Sequence, residues 1–380
     1  MPSRFTIVFV LSVLGALHAW IGWRLVPAIS GDSTVQLLCG IYLLLSFVLI
    51  PMALLARTVQ SQIWSDRLTW VGMLAMGLFS SLLLLTLVRE VALLLVPLMV
   101  PTLAPQELVQ WSARAAAAGA AALSLLGLIN ARRVAAVVNV DVPIRNLPVA
   151  LQGFTIAQIS DIHVGATIKH DYLHAIVTKV NALQADVIAV TGDLVDGSVA
   201  QLARHTAPLA QLQARHGVYF VTGNHEYYSD APGWVVELRR LGLTVLMNEH
   251  VVLRHDGAAL VLAGVTDYTA HHFDPAQRSD PHAAILHAPA DSGVNILLAH
   301  QPRSAVEAAD AGFDLQLSGH THGGQFFPWN LFVPLQQPYV AGLNRLRNLW
   351  VYTSRGTGYW GPPKRLLAPS EITHLRLIAA

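Results

Sequence analysis

Residues 156–163 read Ile-Ala-Gln-Ile-Ser-Asp161-Ile-His163, an apolar run that ends on a carboxylate and an imidazole. Val187-Ile-Ala-Val-Thr-Gly192-Asp193 and Val218-Tyr-Phe-Val-Thr-Gly223-Asn224-His225-Glu226 repeat the design. So do Leu297-Leu-Ala-His300 and Leu315-Gln-Leu-Ser-Gly319-His320-Thr-His322. Short β-rich runs of this kind predict buried strands, and a Gly permits the sharp exit a strand end needs. Side chains two apart on an extended chain point the same way. Asp161 with His163, and His320 with His322, are therefore expected to address an ion in pairs. A lone Asp-x-His, or one His after a strand, is more often a hydrogen-bonded structural group. Five strand-end clusters in one chain, all rich in Asp, His and Asn, predict a metal site. Imidazole, carboxylate and amide-oxygen donors suit Mn, Fe, Zn or similar ions rather than soft copper.

Outward from these motifs, β-rich runs at 154–159, 187–190, 218–221, 259–265, 296–298 and 314–317 alternate with helical patterns such as 172–183 and 233–241. That alternation predicts an α/β domain. Upstream the texture is different. Runs 6–23, 33–56, 68–88 and 115–131 contain no Asp, Glu, Lys or Arg, and each approaches the roughly 20 apolar residues that cross a bilayer as a helix. Trp20, Trp23, Trp64 and Trp70 lie near the segment ends, as interfacial anchors do. The first run has Arg4 before an apolar core, as a signal peptide has, but His18, Trp20 and Trp23 make a poor cleavage site, so it reads as a retained helix. Segment 91–100 is too short to cross alone; it either prolongs the third helix or lies in the interface, with Pro97, Pro101 and Pro105 breaking the chain beyond. The chain is 53% hydrophobic, only 12% charged, and has a mean hydropathy of +0.47, whereas a soluble domain carries about 25% charged residues. A net charge of +1 gives no field for steering nucleic acid, and none is expected as a partner. With Cys39 the only cysteine, an intramolecular disulfide and zinc–thiolate chemistry are both excluded.

Asp161-x-His163, Gly192-Asp193, Gly223-Asn224-His225-Glu226, His300 and Gly319-His320-x-His322 resemble, in that order, the motif set of the calcineurin-like metallophosphoesterases. Ser354-Arg355-Gly-Thr-Gly358, Arg365 and Ser370-Glu371-Ile-Thr373 are similar to the membrane-associated bacterial branch, which includes UDP-2,3-diacylglucosamine hydrolases of lipid A synthesis. The apolar runs place transmembrane helices over 1–134, and the resemblance implies an α/β/β/α sandwich over 135–380. It implies that Asp161, His163 and His322 hold one divalent ion, that Asn224, His300 and His320 hold a second, and that Asp193 bridges them. His225 would stand beside the phosphate as a proton donor. Two ions about 3.5–4 Å apart share a hydroxide and clamp phosphoryl oxygens, and general acid help adds about 10²–10⁴-fold.

The expected reaction is hydrolysis of a phosphodiester or pyrophosphate bond in a lipid- or nucleotide-linked substrate at the membrane. The alternatives are a phosphomonoesterase acting on a soluble metabolite, and a receptor or scaffold that uses the fold only to bind. Arg355 and Arg365 are candidate substrate contacts. Asp196 either orients a ligand or caps the next turn, and Glu226 orients backbone or sits on the surface. His271 and His272 read mainly as solvated loop residues. The stretch 325–335, Gln-Phe-Phe-Pro-Trp-Asn-Leu-Phe-Val-Pro-Leu, is either a packed loop or an apolar lip that meets lipid.

With four spans, Arg4, Arg57, Arg67, Arg132 and Arg133 share one face and Arg24, Arg89 and Arg114 the other. The positive-inside tendency then puts the catalytic domain on the cytoplasmic face of a bacterial inner membrane. A folding-sensitive green fluorescent protein fused after Ala380 is expected to fluoresce, and a periplasmic phosphatase fused there to stay inactive. The reverse pair of results means either five spans, with 91–100 crossing after all, or an outside N-terminus.

Overall fold

The computed structural model describes residues 3–99 and 105–380. The chain divides into two compact units, Met1–Ile129 with Gly361–Lys364, and Asn130–Trp360 with Arg365–Ala380.

The first unit is built on α1 (Arg4–Ile29), α2 (Ser33–Leu55), α3 (Gln62–Met99) and α4 (Pro105–Arg132). All four are long and apolar enough to cross a membrane. Caps start the first two: the Ser3 hydroxyl accepts the Thr6 N–H at 3.1 Å, and the Asp32 carboxylate accepts that of Thr34 at 2.7 Å. Each replaces a helical partner that the first turn lacks. Ala113, Ala116 and Ala120 present a small-residue face on α4, and they share a core with Ile21, Leu25, Ile50, Phe79 and Leu82. Small side chains let helices approach closely where no hydrophobic force drives them together. Residues 91–99 prolong α3. Pro97 falls inside that helix, Pro105 opens α4, and Val100 and Pro101 lie outside the described residues.

The second unit holds twelve strands. They are β1 (Ala136–Ile144), β2 (Thr155–Ile159), β3 (Val187–Val190), β4 (Val218–Phe220), β5 (Thr244–Val245) and β6 (Glu249–His255), then β7 (Ala258–Gly264), β8 (Val294–Leu298), β9 (Leu315–Ser318), β10 (Gly342–Leu346), β11 (Leu349–Thr353) and β12 (Glu371–Ala379). They form two mixed six-stranded sheets, ordered β1-β12-β2-β3-β4-β5 and β10-β11-β9-β8-β7-β6. Alternation along each strand sets the layers. Ile156, Val187 and Ala189 face a core shared with Leu260, Leu262, Ile296, Leu298 and Leu315 of the other sheet. Ala157, Ile188 and Val190 face the opposite way, toward Leu173, Ile176, Leu202 and Trp234 of the covering helices. Ala263 and Leu297 do the same on the far side, against Ala284, Ala305 and Ala308. The result is the expected helix–sheet–sheet–helix sandwich.

Of the strands, β2, β3, β4, β7, β8 and β9 fall where the sequence places them, within one or two residues at each end. The flanking β1, β5, β6, β10, β11 and β12 were not expected. β1 and β12 pair in parallel over nine residues, from Ala136↔Glu371 to Ile144↔Ala379. They close the edge of the sheet that carries β2, β3 and β4 side by side. The exits of those three strands, together with those of β8 and β9, bring all five motifs to one end of the sandwich.

Candidate metal centre

The motif loops continue the ladder after the strands end. Asp161 N–H donates to the Gly192 carbonyl at 3.0 Å, His163 N–H to that of Asp193 at 3.1 Å, and Gly319 N–H to that of His300 at 2.9 Å. The extended-chain picture of Asp161-x-His163 and His320-x-His322 is corrected here. These residues lie beyond the strands in left-handed conformations, with φ of 53°, 57°, 71° and 52°. Their side chains converge because the chain curls, and do not alternate as on a strand. Asp193 shares the conformation, with φ 52°. Such angles are uncommon for residues with a Cβ and cluster at functional sites.

The curl needs two glycines. A Cβ on Gly223 would run into the Asp193 carboxylate, and one on Gly319 into that of Asp161. Glu226, fully buried, fixes the arrangement from behind. Its carboxylate accepts the N–H groups of Gly223 at 2.6 Å, Asp193 at 3.0 Å and Leu194 at 2.8 Å. Of its two expected roles, it takes the backbone-orienting one.

Three groups of metal-competent side chains result: Asp161, His163 and His322; Asp193, His300 and His320; and His163, Asp193 and His225. Nε2 of His322 lies 3.4 Å from Asp161 Oδ1 and 3.0 Å from Nε2 of His163. Nδ1 of His320 lies 3.2 Å from Nε2 of His300. Asp193 Oδ2 is 3.1 Å from His300 Nε2 and 4.0 Å from His163 Nε2, so one oxygen faces both groups. Asp193 Oδ1 is occupied by the His225 N–H at 2.9 Å. His300 donates from Nδ1 to the Thr191 carbonyl at 2.7 Å, which leaves Nε2 as its ligand atom. Asn224 Oδ1 is buried and accepts no hydrogen bond. A buried, unpaired amide oxygen beside this donor set fits divalent-ion binding, since such groups otherwise find a partner.

The electrostatics agree. Burial and the charge of His300 push the His320 imidazole down to about 3, and burial with the Arg365 guanidinium holds His322 well below its usual value. Both keep free lone pairs. Burial opposes charge on His300 and Asp193 as well, but each stabilises the other's charge, so His300 is raised and the Asp193 carboxyl lowered. A divalent ion supplies the same positive charge to that carboxylate. For His225, burial is outweighed by Asp193 and Asp196, and the imidazole rises to about 9.

Asp196 takes the ligand-orienting role: its Oδ2 lies 3.3 Å from Nδ1 of the candidate ligand His163, while its Oδ1 lies 2.5 Å from Nδ1 of His225. Tyr228 and Trp360 pack edge-on against the His225 ring, with centroids at 5.2 and 5.4 Å, and Phe273 adjoins Tyr228 at 5.7 Å. All three aromatics are about half exposed. The sequence reading missed this rim. Arg355 is partly exposed and ion-paired with Glu371 at 2.8 Å. The expectation for Arg365 needs correction. It is 1% exposed and donates to the carbonyls of His322 at 2.9 Å, Arg355 at 2.7 Å and Gly358 at 3.0 Å. It braces the loops that carry the site and is not free to meet a substrate.

Comparison with known proteins gives the class. Residues 154–324 match the family model described as calcineurin-like phosphoesterase. A metallophosphoesterase of Aquifex aeolicus, itself uncharacterized, is 33% identical over 219 residues, which cover 57% of this chain and 82% of that protein. The chain belongs to the calcineurin-like phosphoesterase family, and its second unit is a metallophosphoesterase domain. A Danio rerio protein described as a transmembrane protein with metallophosphoesterase domain is 40% identical over 265 residues, covering 68% of this chain and 60% of that protein. The chain thus spans about 60% of the length of such relatives. With its four apolar helices, it is a membrane protein. A 5'-nucleotidase precursor from Thermus thermophilus aligns at 16% identity and a TM-score of 0.38, covering 60% of this chain and 54% of that one.

Asp193→Asn and His320→Ala are expected to abolish turnover and lower the bound metal, because each removes a donor that holds the charge. Metal analysis of the purified variants checks this. Full parental metal content in both contradicts the assignment.

Proposed function

We propose that this protein hydrolyses a phosphodiester or pyrophosphate bond in a lipid- or nucleotide-linked substrate at the membrane surface, using two divalent ions. The observation that carries the reading is the Asp193 carboxylate, whose Oδ2 faces His300 and His163 while its Oδ1 fixes the backbone of His225. Asp161, His163 and His322 would hold one ion, Asn224, His300 and His320 the other, with Asp193 shared; Mn, Fe or Zn suit the donors. When bound, the ions activate water at neutral pH and neutralise the phosphoryl oxygens. His225, whose Nδ1 is held by the Asp196 carboxylate, donates from Nε2 to the departing oxygen. Its aromatic neighbours Tyr228 and Trp360, with Phe273 behind Tyr228, then line the side on which the leaving group departs. A scaffold that only binds has no use for this oriented acid.

The lipid part of the reading rests on the 326–335 segment. Phe327, Trp329, Leu331, Phe332 and Leu335 are all exposed, Leu335 to 80%. A lip of this kind meets an acyl chain, and four spans keep the enzyme in the plane of such a substrate. Acylated sugar nucleotides, the substrates of the UDP-2,3-diacylglucosamine hydrolases that the C-terminal motifs resemble, join a pyrophosphate to acyl chains and fit both features. The catalytic domain would face the cytoplasm of a bacterial inner membrane.

For His225→Ala we expect metal retained and turnover down by roughly 10²-fold or more. The deficit should shrink on nitrophenyl esters, whose leaving group needs little protonation. Equal losses on good and poor leaving groups remove His225 from the acid role.

Substrate choice is tested by a chain-length series of one phosphoester headgroup, assayed below its micellar concentration. kcat/KM should climb with length, since each buried methylene is worth about 0.8 kcal/mol. Phe327→Ser with Phe332→Ser should flatten the climb at unchanged metal content. A flat series in the parent favours a soluble substrate, the phosphomonoesterase alternative included.

A further inference from the structure

The other end of β3 and β4 carries a second cluster of metal-competent groups: Asp186, His216 and His255. Asp186 precedes β3, His216 lies just before β4, and the His216 N–H donates to the Asp186 carbonyl at 2.8 Å. His255 closes β6 in the opposite sheet. There the turn Asp256-Gly257, with φ 50° and 93°, returns the chain to β7 by pairing His255 with Ala258. A two-residue hairpin with positive φ at both central positions holds its flanking residues tightly. Nε2 of His216 faces Nδ1 of His255 at 3.0 Å, and Asp186 Oδ1 lies 3.8 Å from the same Nδ1. Asp186 and Asp193 stand at opposite ends of β3, on the order of 20 Å apart along extended chain. The cluster is therefore separate from the candidate centre.

We propose that Asp186, His216 and His255 form an auxiliary site for a single borderline transition-metal dication, Zn²⁺ by donor type, which ties the two sheets together. Two donors each about 2.0–2.1 Å from a tetrahedral ion lie about 3.3–3.4 Å apart, and the observed 3.0 and 3.8 Å bracket that spacing. The outer atoms are already assigned. Asp186 Oδ2 accepts both the N–H and the hydroxyl of Thr155 at 2.9 Å, which leaves Oδ1 for the ion. Nε2 of His255 points away from the cluster, toward the Arg215–Asp256 ion pair with the carboxylate at 3.6 Å, which leaves Nδ1 as the nitrogen that faces His216 and Asp186. Arg215 comes within 3.5 Å of that Nε2, but its charge is taken by Asp256 at 2.7 Å. Phe154 packs against both imidazoles, with centroids 5.9 and 5.0 Å away, and covers one side of the pair. A plain hydrogen bond between the two histidines explains the 3.0 Å contact alone. It gives no role to the approach of Asp186 from the same side.

The test uses the full chain purified in detergent, with Zn²⁺ as the probe. His255→Ala and, separately, Asp186→Asn should each hold one metal equivalent fewer than the parent while hydrolysing an aryl phosphodiester at the parental rate. Zn²⁺ should raise the Tm of the parent more than that of either variant. Unchanged metal content overturns the site, and so does a loss of activity in step with the metal, which would place that ion in the active centre. Should neither variant fold, Asp161→Asn with Asp193→Asn answers the same question. One tightly held Co²⁺ with the visible absorption of a four-coordinate ion supports the site, and none overturns it.

Discussion

The Asp193 carboxylate, 2% exposed at the exit of a central strand, is the charge around which the domain is arranged. Taking such an anion out of water costs several kcal/mol unless opposite charge and hydrogen bonds surround it. One oxygen is met by the His225 N–H, and the other by imidazoles from three other strand ends. The glycine at 223, the buried Glu226 carboxylate and the proton drawn onto His300 are all consequences of keeping that charge in place. A bound divalent ion answers the same demand more strongly than a proton does.

Holding five polar loops around one point has a conformational cost. Asp161, His163, Asp193, His320 and His322 all take positive φ, which costs on the order of 1–3 kcal/mol each for a residue with a Cβ. The compensation is visible and local. Glu226 collects four backbone N–H groups of the 193–195 and 223 loops, while Arg365 collects carbonyls of the 322, 355 and 358 loops. A carboxyl group gathers donors and a guanidinium gathers acceptors. Each sits behind the site, where neither touches a reacting group.

That division explains what was legible in the sequence. The motif strands were readable because an apolar run, a glycine and a metal-competent side chain form a local signal. The ligands gather at one end because β2, β3 and β4 are adjacent and parallel, which motif order alone suggests. What stayed hidden depends on partners distant in the chain. β1 and β12 are strands because they pair with each other across more than two hundred residues. Asp196 gains its role only when His225, 29 residues on, is brought to it. Arg365 reads as a substrate contact until three loops close over it. The auxiliary cluster joins two sheets and leaves no motif, and the Tyr228, Phe273 and Trp360 rim is likewise assembled from separate loops.

In the membrane unit the apolar stretches were legible from length alone, and the continuation of α3 to Met99 settles the shortest of them. The central claim concerns the other unit: Asp193 joins two metal half-sites into one centre. Electron paramagnetic resonance of the Mn²⁺-reconstituted protein, in a His255→Ala background that removes the auxiliary cluster, tests it directly. The account predicts the multiline spectrum of a spin-coupled Mn²⁺ pair, with the coupling lost in Asp193→Asn. Only the signal of isolated Mn²⁺ ions at full loading would contradict it.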